Sequence, residues 1–413
     1  MKKRDFYAIS LIIICILITG ICVRISPSSK GQFIEVTLEG KHFGTYPLSE
    51  DTTIQVNKNT ITISNGTATM SEADCSDKIC KNHAPISMVG ESIVCLPNKV
   101  CVEVKEGNSP ISKSDFYFDT IVSATIYDAC DESILDGVFL LCSRYENIFS
   151  AKSPDSELYK LNERLLAPSG TDKDGNPMYT ISDELYEAIS IGIEYGKQTN
   201  GAFDITVAPL CEIWNIGSSN PHIPSKQSID EALKHVDYQN IVLTSNNHIS
   251  FKDAQTKIDL GGLAKGYMAD MIADYLKGAH IQNAIVNLGG DCVTLGSKNG
   301  EAYKIGIQKP FAAPGTTATT VNSSNCSVVT SGNYERYFKE NGIIYHHILD
   351  PQNGYPYDVD LNSVTIICDS CTKGDIYATY LFSMGRENAT KYAQTSTDIN
   401  AILIDSSNKI IYP

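Results

Sequence analysis

A carboxylate and a hydroxyl share one face of a predicted helix near the carboxy terminus. The stretch TKGDIYATYLFSMG, residues 372–385, has apolar residues at helical spacing, and Asp375 and Thr379 stand four residues apart within it. At about 3.6 residues per turn, side chains at this spacing lie on the same stripe of the helix. Either they belong to a polar site, or the acid favours the helix amino terminus while the hydroxyl bonds the preceding turn.

Two glycine pairs follow predicted strands and would let the backbone approach a ligand closely. In DLGGLAKGYMAD, Asp259 ends a strand, two glycines follow, and a helix that carries Lys265 begins. Glycine permits close approach, and the amides at a helix entry suit a phosphate group. The second pair, in VNLGGDCVTLG, also follows a strand. Taken singly, the first pair is weak evidence for a phosphate site because Gly-Gly before a helix is common, and an ordinary tight turn accounts for the second.

Two further segments carry polar residues beside turns. Within YHHILDPQNGYP, His346 and His347 are adjacent, and neighbours on a strand point to opposite faces, so at most one should line a given site. The alternative is one exposed histidine and one buried, hydrogen-bonded histidine. In TNGAFDITVAPL a helix is predicted to end at Gly201, after which Asp204 begins an extended stretch fixed by Pro209.

Taken together, these segments resemble the ApbE family, the FAD:protein FMN transferases. The motifs occur in the order and approximate spacing of that family: NGAFDITVAPL, DLGGLAKGY, VNLGGD, TSGNYERYF, HHILDPQNGYP and DIYATYLFSMG. With DTIVSATIYD and SPDSELYKLNE, the resemblance covers about 300 residues, from Phe116 to the carboxy terminus. It implies an enzyme that cleaves the pyrophosphate of FAD, joins the FMN half to a Thr or Ser hydroxyl of an acceptor protein, and releases AMP.

The resemblance also implies a magnesium site. Mg²⁺ is a hard, octahedral ion that is usually held by one or two protein oxygens together with substrate phosphates. Asp375 and Thr379 would bind it from successive helical turns, and the backbone carbonyl of Gly262, in the DLGG turn, would complete the protein ligands.

By the same resemblance, seven residues would contact FAD. They are Phe118, Ala202, Phe203, Asp204, Asp259, Lys265 and Leu349. At Phe118 this sequence departs from the family, because many relatives have methionine followed by Gly-Thr, whereas Asp119 and Thr120 follow here. His347 matches the histidine of the family's H-I-x-D-P segment and is the expected general base for the acceptor hydroxyl, since a histidine pKa lies near working pH. Asp375 is the rival candidate for that base.

The elements that would position these residues are strands and helices in irregular alternation. Strand-like runs are DTIVSATIYD, NAIVNLGGD, YKIGIQ, SVTIIC and INAILIDS. Helical patterns, besides the one at 372–385, cover Leu135–Glu146, Ile181–Thr199, Ile229–Lys234 and Lys265–Lys277. The strands are not the continuous apolar runs of a buried parallel sheet. The pattern predicts an α+β domain over residues 108–413.

A separate strand-rich block is predicted over residues 31–107. Its runs FIEVTLEG, TIQV, TITIS, SIVCLP and VCVEV alternate apolar and polar residues between turn signals, which indicates a small all-β domain. Its second half resembles the extracytoplasmic family named after domain II of NusG. Cys75, Cys80, His83 and Cys95 would make a metal or disulfide cluster there, the alternatives being a Cys75 to Cys80 staple or simply buried thiols.

Residues 1–30 are predicted to be a membrane anchor and spacer. Lys2, Lys3 and Arg4 precede an uncharged run from Phe6 to Val23, which as a helix would span about 27 Å of a hydrocarbon core of about 30 Å. No A-x-A-like cleavage site follows, so we expect an uncleaved, single-pass transmembrane helix. The positive-inside rule then places the remaining chain on the extracytoplasmic side of the cell membrane.

The net charge and the motifs of the chain limit which classes of molecule it is expected to bind. A formal charge of -15 over 413 residues, with no long Lys/Arg run, excludes a nucleic-acid partner. The expected acceptor is an exported or membrane protein, such as an RnfG or NqrC-like subunit, with a motif of the form D-x-x-[ST]-G-A-[ST]. This chain has no such string, so self-modification is not expected. Two other functions stay open: FAD pyrophosphatase activity giving FMN and AMP, and a non-catalytic FAD-binding redox accessory role.

Overall fold

The computed structural model describes residues 30–75, 78–105, 110–128, 130–298 and 300–413. The chain divides into two compact units, Met1–Ser109 and Pro110–Pro413. Among the residues described, no helix combines the length and the apolar character needed to cross a membrane. The predicted anchor, Phe6 to Val23, lies outside the described residues.

The described part of the amino-terminal unit is built of β-strands. They are β1 Phe33–Leu38, β2 Lys41–Pro47, β3 Thr52–Val56, β4 Asn59–Ser64, β5 Thr67–Ala73, β6 Ser92–Cys95 and β7 Val100–Lys105. They form two antiparallel sheets, ordered β2-β1-β7-β6 and β3-β4-β5. Alternate residues point inward, as in β7, where Val100, Val102 and Val104 are fully buried. The predicted small β domain is present.

The carboxy-terminal unit mixes strands with helices. Its strands are β8 Ile111–Tyr117, β9 Thr120–Ile126, β10 Gly170–Thr171, β11 Pro177–Thr180, β12 Ile241–Thr244, β13 His248–Phe251, β14 Ala284–Leu288, β15 Asp291–Leu295, β16 Tyr303–Gln308, β17 Thr317–Ser323, β18 Ser327–Gly332, β19 Tyr337–Glu340, β20 Ile343–His346, β21 Leu361–Cys368, β22 Asn400–Asp405 and β23 Ile410–Ile411. Its helices are α1 Ser133–Phe149, α2 Glu157–Asn162, α3 Asp183–Gln198, α4 Ala208–Trp214, α5 Lys226–Leu233, α6 Ala264–Gly278, α7 Cys371–Ser383 and α8 Gly385–Thr395, with a 3-10 turn at Tyr238–Asn240.

An eight-stranded sheet organises this unit, in the order β23-β22-β21-β18-β15-β14-β9-β8. Its neighbouring strands pair antiparallel, which agrees with the predicted mixture of strands and helices outside a parallel sheet. Helices α6 and α7 pack against each other and against this sheet. Together they bury the largest apolar core of the described chain, which runs from Val122 to Ile376.

The expected extended stretch after Asp204 is wrong in part. Residues Ala208–Trp214 form helix α4, and Pro209 lies in its first turn. Proline is tolerated there because an N–H in the first helical turn has no intrahelical partner to lose. Helix α8 was not predicted, since of its eleven residues only Ala389 is buried and most of the others are polar.

Candidate active site

One cavity of about 870 Å³ in the carboxy-terminal unit brings the sequence-predicted site residues together. All eleven line it: Phe118, Ala202, Phe203, Asp204, Asp259, Gly262, Lys265, His347, Leu349, Asp375 and Thr379. They come from loops, helix amino termini and strand ends that are far apart in sequence. Both polar and apolar residues form its wall.

Helix α7, which carries Asp375 and Thr379, is anchored at its first turn by helix α6. Asp270 of α6 accepts hydrogen bonds from the backbone N–H groups of Cys371, at 2.7 Å, and Thr372, at 2.9 Å. The carboxylate thus accepts hydrogen bonds from N–H groups that have no partner within the helix. Its negative charge also interacts favourably with the positive end of the helix dipole. This contact sets the position of Asp375 one turn further along.

The two helices approach closely at Gly266. A Cβ atom on Gly266 would lie 2.5 Å from the carbonyl oxygen of Cys371, so only glycine fits. The Gly266 N–H also donates to Asp375 Oδ2 at 3.3 Å. On the next turn of α7, Thr379 Oγ1 lies 3.2 Å from Ser331 Oγ of β18. Asp375 is buried, and Thr379 is partly exposed to the cavity.

Three carboxyl groups surround one lysine at the polar end of the cavity. Lys265 Nζ lies 2.5 Å from Asp291 Oδ2, and Asp291 is fully buried. Burial alone would lower the pKa of Lys265, but the charges of Asp291 and Asp375 raise it. Burial, followed by the neighbouring Asp291 charge, raises the pKa of Asp375 to about 7. Glu335 lines the cavity, and desolvation by the surrounding cavity wall, with the Asp375 charge, raises its pKa to about 7.

Asp291 and Glu335 are site residues that the sequence analysis did not single out. Asp291 follows the Gly-Gly pair of VNLGGD, which forms the two-residue turn between β14 and β15, with Gly289 at φ +65° and Gly290 at φ +113°. A Cβ on Gly289 would lie 2.1 Å from Thr120 Oγ1. The sequence analysis used the two glycines of VNLGGD but not Asp291, the acid that follows them.

The two histidines separate as predicted. His346 is buried and its Nε2 lies 3.0 Å from the carbonyl of Tyr357. His347 lines the cavity, and its Nδ1 donates to the carbonyl of Arg336 at 3.3 Å, which leaves a lone pair on Nε2. Burial, then the Arg336 charge, lowers the pKa of His347 to about 3. The ring is accordingly neutral at working pH and free to accept a proton at Nε2, but the expectation that its pKa lies near working pH is wrong.

The DLGG turn packs against the segment that contains Phe203. A Cβ on Gly262 would lie 2.9 Å from the Phe203 ring, so glycine lets the turn and the ring meet. Asp259 Oδ1 accepts the N–H of Gly261 at 2.6 Å, which closes the turn. The carbonyl of Ala202 accepts a hydrogen bond from the Tyr357 hydroxyl at 3.1 Å.

Asp204 lines the cavity, yet its carboxylate bonds to the protein. Oδ1 accepts from the backbone N–H and the hydroxyl of Thr206, and Oδ2 accepts from the N–H of Tyr238 at 2.9 Å. Burial raises its pKa, despite these hydrogen bonds. The side chain therefore braces the loop that carries Ala202 and Phe203.

Phe118 sits in the tight turn between β8 and β9. Phe118 and Asp119 both have positive φ, +51° and +58°, as a two-residue hairpin turn requires. The Phe118 N–H donates to Glu146 Oε1 at 2.7 Å, and Asp119 pairs with Lys152 at 2.8 Å. Because aspartate tolerates the left-handed region better than most residues, the turn keeps its shape without a glycine at position 119.

The cavity therefore combines a group of acids that suits a cation and a ligand phosphate with an apolar lining. That lining includes the aromatic and aliphatic side chains of Phe118, Phe203, Trp214, Ile348 and Leu349. A ligand with a planar ring system and a diphosphate group matches both kinds of lining.

Comparisons with known proteins follow the same division of the chain. The ApbE family model matches residues 118–403, and the NusG domain II model matches residues 8–108. The chain is 33% identical to an FAD:protein FMN transferase of Klebsiella pneumoniae, over 68% of this chain and 85% of the relative. It is 28% identical to one of Treponema pallidum, over 72% of this chain and 85% of the relative.

A crystal structure of the ApbE protein from Thermotoga maritima is similar in fold. It is 30% identical, with a TM-score of 0.66, over 74% of this chain and 97% of that protein. The matched region is the unit that contains the cavity.

Proposed function

The chain belongs to the ApbE family and is an enzyme of the FAD:protein FMN transferase class, and from that premise we propose its reaction in detail. It transfers the FMN half of FAD to a Thr or Ser hydroxyl of an acceptor protein and releases AMP, with Mg²⁺ as cofactor. The observation that carries this proposal is that Asp375, Thr379 and Gly262 line one cavity beside the neutral base His347.

The residues present fit a magnesium ion. Asp291 Oδ1 is buried and has no hydrogen-bond donor among the described residues, and two buried carboxyl groups, Asp291 and Asp375, face Lys265. This excess of buried negative charge calls for a cation, and Mg²⁺ prefers carboxylate, hydroxyl and carbonyl oxygens. Asp375, Thr379 and the Gly262 carbonyl would hold it. When bound, it would neutralise charge on the phosphate oxygens of FAD.

The transfer exchanges one phosphorus–oxygen bond for another. The acceptor hydroxyl oxygen attacks the phosphorus on the FMN side of the diphosphate, and the bond to the bridging oxygen breaks, so that AMP leaves with that oxygen. The hydroxyl proton passes to His347 Nε2, which is positioned by the Nδ1 hydrogen bond to Arg336. Asp375 is the poorer candidate for the base, because it would bind the metal.

Lys265 and the DLGG turn would position the substrate. Lys265 stands in the first turn of α6, where the positive end of the helix dipole and a cationic side chain suit a phosphate. Its ion pair with Asp291 fixes the ammonium group at the polar end of the cavity. Phe118, Phe203 and Leu349 would contact the apolar part of FAD, the first of them from a turn that differs from those of relatives.

We also propose an extracytoplasmic location and an exported or membrane-bound acceptor of the RnfG or NqrC-like kind. The support is sequence-based: the basic residues before the apolar run Phe6 to Val23, and the absence of an acceptor motif in this chain.

The decisive experiment incubates the protein with FAD, Mg²⁺ and a carrier that bears the D-x-x-[ST]-G-A-[ST] motif. Transfer predicts flavin fluorescence on the carrier band in a denaturing gel, with AMP released in equal amount. Asp375→Ala should abolish the labelling, whereas Asp136→Asn, an exposed acid of α1, should not change it.

Other outcomes separate the alternative functions. Release of FMN and AMP without labelling of the carrier would indicate a pyrophosphatase, in which water replaces the hydroxyl. Intact FAD that stays bound through the incubation would indicate a binding protein. Either result contradicts the proposed transfer.

A further inference from the structure

Three buried thiols of the amino-terminal unit converge on one point. The Sγ atoms of Cys75, Cys80 and Cys95 all lie within 4.8 Å of one another, and those of Cys75 and Cys80 are 3.4 Å apart. Each cysteine is at most 6% exposed, and all three belong to the apolar core of this unit. Nothing in the flavin transfer reaction uses them.

We propose that these thiols form a closed binding site for a thiophilic d¹⁰ cation, Zn²⁺ or Cu⁺. Metal–sulfur bonds of about 2.3 Å hold thiolate sulfurs about 4 Å apart. The three sulfurs here lie within 4.8 Å of one another, with one pair at 3.4 Å, so a small shift of the side chains would suit such an ion. A disulfide would join two of the sulfurs and leave the third without a role. His83, which the sequence analysis grouped with them, is exposed, and its Nδ1 lies 2.8 Å from the Ala84 carbonyl, outside the cluster.

Two asparagines adjoin Cys95. Asn59 is fully buried, its Nδ2 donates to Met70 Sδ at 3.3 Å, and its Oδ1 accepts from Asn98 Nδ2 at 2.7 Å. A buried amide whose orientation is fixed by a second contact is typical of the surroundings of a metal ligand.

Binding would couple to protonation and to folding. Each thiol that becomes a ligand releases its proton to solvent, so affinity should fall as pH decreases. The described apolar core of this unit is small, with 17 buried residues, and a core of that size alone gives limited stability. A bound ion would add stability that a purely apolar core of this size lacks.

The test uses the full chain, purified with a reductant and freed of metal. Zn²⁺ alone and Cu⁺ alone are titrated against a chromophoric chelator. We expect one equivalent of at least one of the two ions to bind, with a first shell of sulfur at about 2.3 Å by X-ray absorption. Binding should also raise the midpoint of thermal unfolding.

Variants distinguish the cluster from other cysteines. Cys75→Ser, Cys80→Ser and Cys95→Ser should each weaken binding by more than about tenfold. Cys101→Ser is the matched control, because Cys101 lies on β7 outside the cluster and is partly exposed. It should bind the ion with unchanged affinity.

Three results would overturn the proposal. The first is a fully reduced chain that takes up neither ion in excess. The second is a bound ion whose affinity is the same in Cys95→Ser. The third is a Cys75 to Cys80 disulfide found by mass spectrometry, together with no metal binding after reduction. If the serine variants do not fold, the stoichiometry and sulfur shell of the unaltered chain decide.

Discussion

Charge at single residues explains why the polar end of the cavity suits both a cation and a phosphate. Lys265 neutralises one of three carboxyl groups and pairs most closely with Asp291. The remaining negative charge raises the pKa of Asp375, since two ionised carboxylates in a buried site repel. A divalent ion would relieve that repulsion and at the same time attract the diphosphate. The acids therefore act as a group.

Asp291→Asn tests this grouping at the residue that the sequence analysis missed. The substitution removes the partner of Lys265 and one of the three carboxyl groups. We expect the Mg²⁺ concentration for half-maximal transfer to rise by about 10- to 100-fold. Asp274→Asn, an exposed acid on the same helix as Lys265, is the control and should leave that concentration unchanged. An unchanged Mg²⁺ requirement in Asp291→Asn would show that Asp291 serves only to hold Lys265.

His347 gives a prediction about acid stability. Its pKa is about 3 in the folded protein and about 6.5 when unfolded, so between these values the unfolded state binds the extra proton. Folding stability from this residue is therefore present above pH 6.5 and is lost as pH falls towards 3. His347→Gln should lose less stability than the unaltered protein on acidification from pH 7 to pH 5, by about 1 to 2 kcal/mol.

The measurement is denaturant unfolding followed by the fluorescence of Trp214, the single tryptophan, which is buried in the same unit. His222→Gln, at an exposed position, should show the same pH dependence as the unaltered protein. Equal acid sensitivity in His347→Gln and the unaltered protein would contradict a depressed pKa.

At this scale the sequence was informative about which residues meet and silent about how they bond. All eleven predicted residues line one cavity. They were predicted together because their motifs jointly resemble those of one family. Spacing along the chain does not reveal that the Asp204 carboxylate is occupied by Thr206 and Tyr238. Nor does it show that Lys265 pairs with Asp291, because that contact depends on β15 lying beneath α6.

At the scale of elements, the site depends on the fit between helices α6 and α7. Asp270 and Gly266 lie one turn apart on α6; the first binds the start of α7, and the second lets its backbone approach. The contact at Gly266 is with backbone atoms, which cannot move aside as a flexible side chain can. The position of Asp375 is therefore set by the packing of the two helices.

Gly266→Ala should displace α7 and impair the site. The added Cβ would lie 2.5 Å from the Cys371 carbonyl oxygen and 2.8 Å from Thr372 Cα, so the helices must separate. We expect destabilisation of about 1 to 3 kcal/mol and a loss of transfer rate of roughly 100-fold. The measurements are thermal unfolding and the carrier-labelling rate.

Gly278→Ala is a matched control at the other end of α6. No atom lies within 4 Å of the Cβ position there, and alanine favours the helix. The rate should be unchanged and stability unchanged or slightly increased. Equal rates in the two variants would show that close packing at Gly266 does not position Asp375.

Helices that bury several apolar residues were predictable from the sequence, whereas a mostly polar helix and a short one were not. The predicted helix at Lys265–Lys277 corresponds to Ala264–Gly278, and both glycine pairs lie in turns. The polar α8 and the short α4 escaped, the latter because proline was taken as a sign of extended chain rather than of a first helical turn. Strand order was beyond reach, since the sheet joins strands distant in sequence.

At the scale of the whole molecule, the cavity belongs to one of the two units. The residues that line it run from Phe118 to Thr379, all within Pro110–Pro413. The three-thiol cluster lies entirely in the other unit, with its own apolar core. Because the two sites belong to different units, we expect that a substitution in one site can abolish its function without affecting the other.

A chain that begins at Pro110 should accordingly keep the transfer activity. It retains the large sheet, both site helices and every described cavity residue. We expect kcat/KM for a soluble carrier to stay within about twofold of that of the full chain, because no residue that would stabilise the transition state is removed. Labelling rates are compared at equal concentrations of folded protein, and Asp375→Ala in the shortened chain is the negative control. A shortened chain that folds and binds FAD but labels the carrier much more slowly would show that the amino-terminal unit takes part in recognising the acceptor. In that case Cys95→Ser in the full chain, with and without Zn²⁺, would determine whether the thiol cluster mediates that contribution.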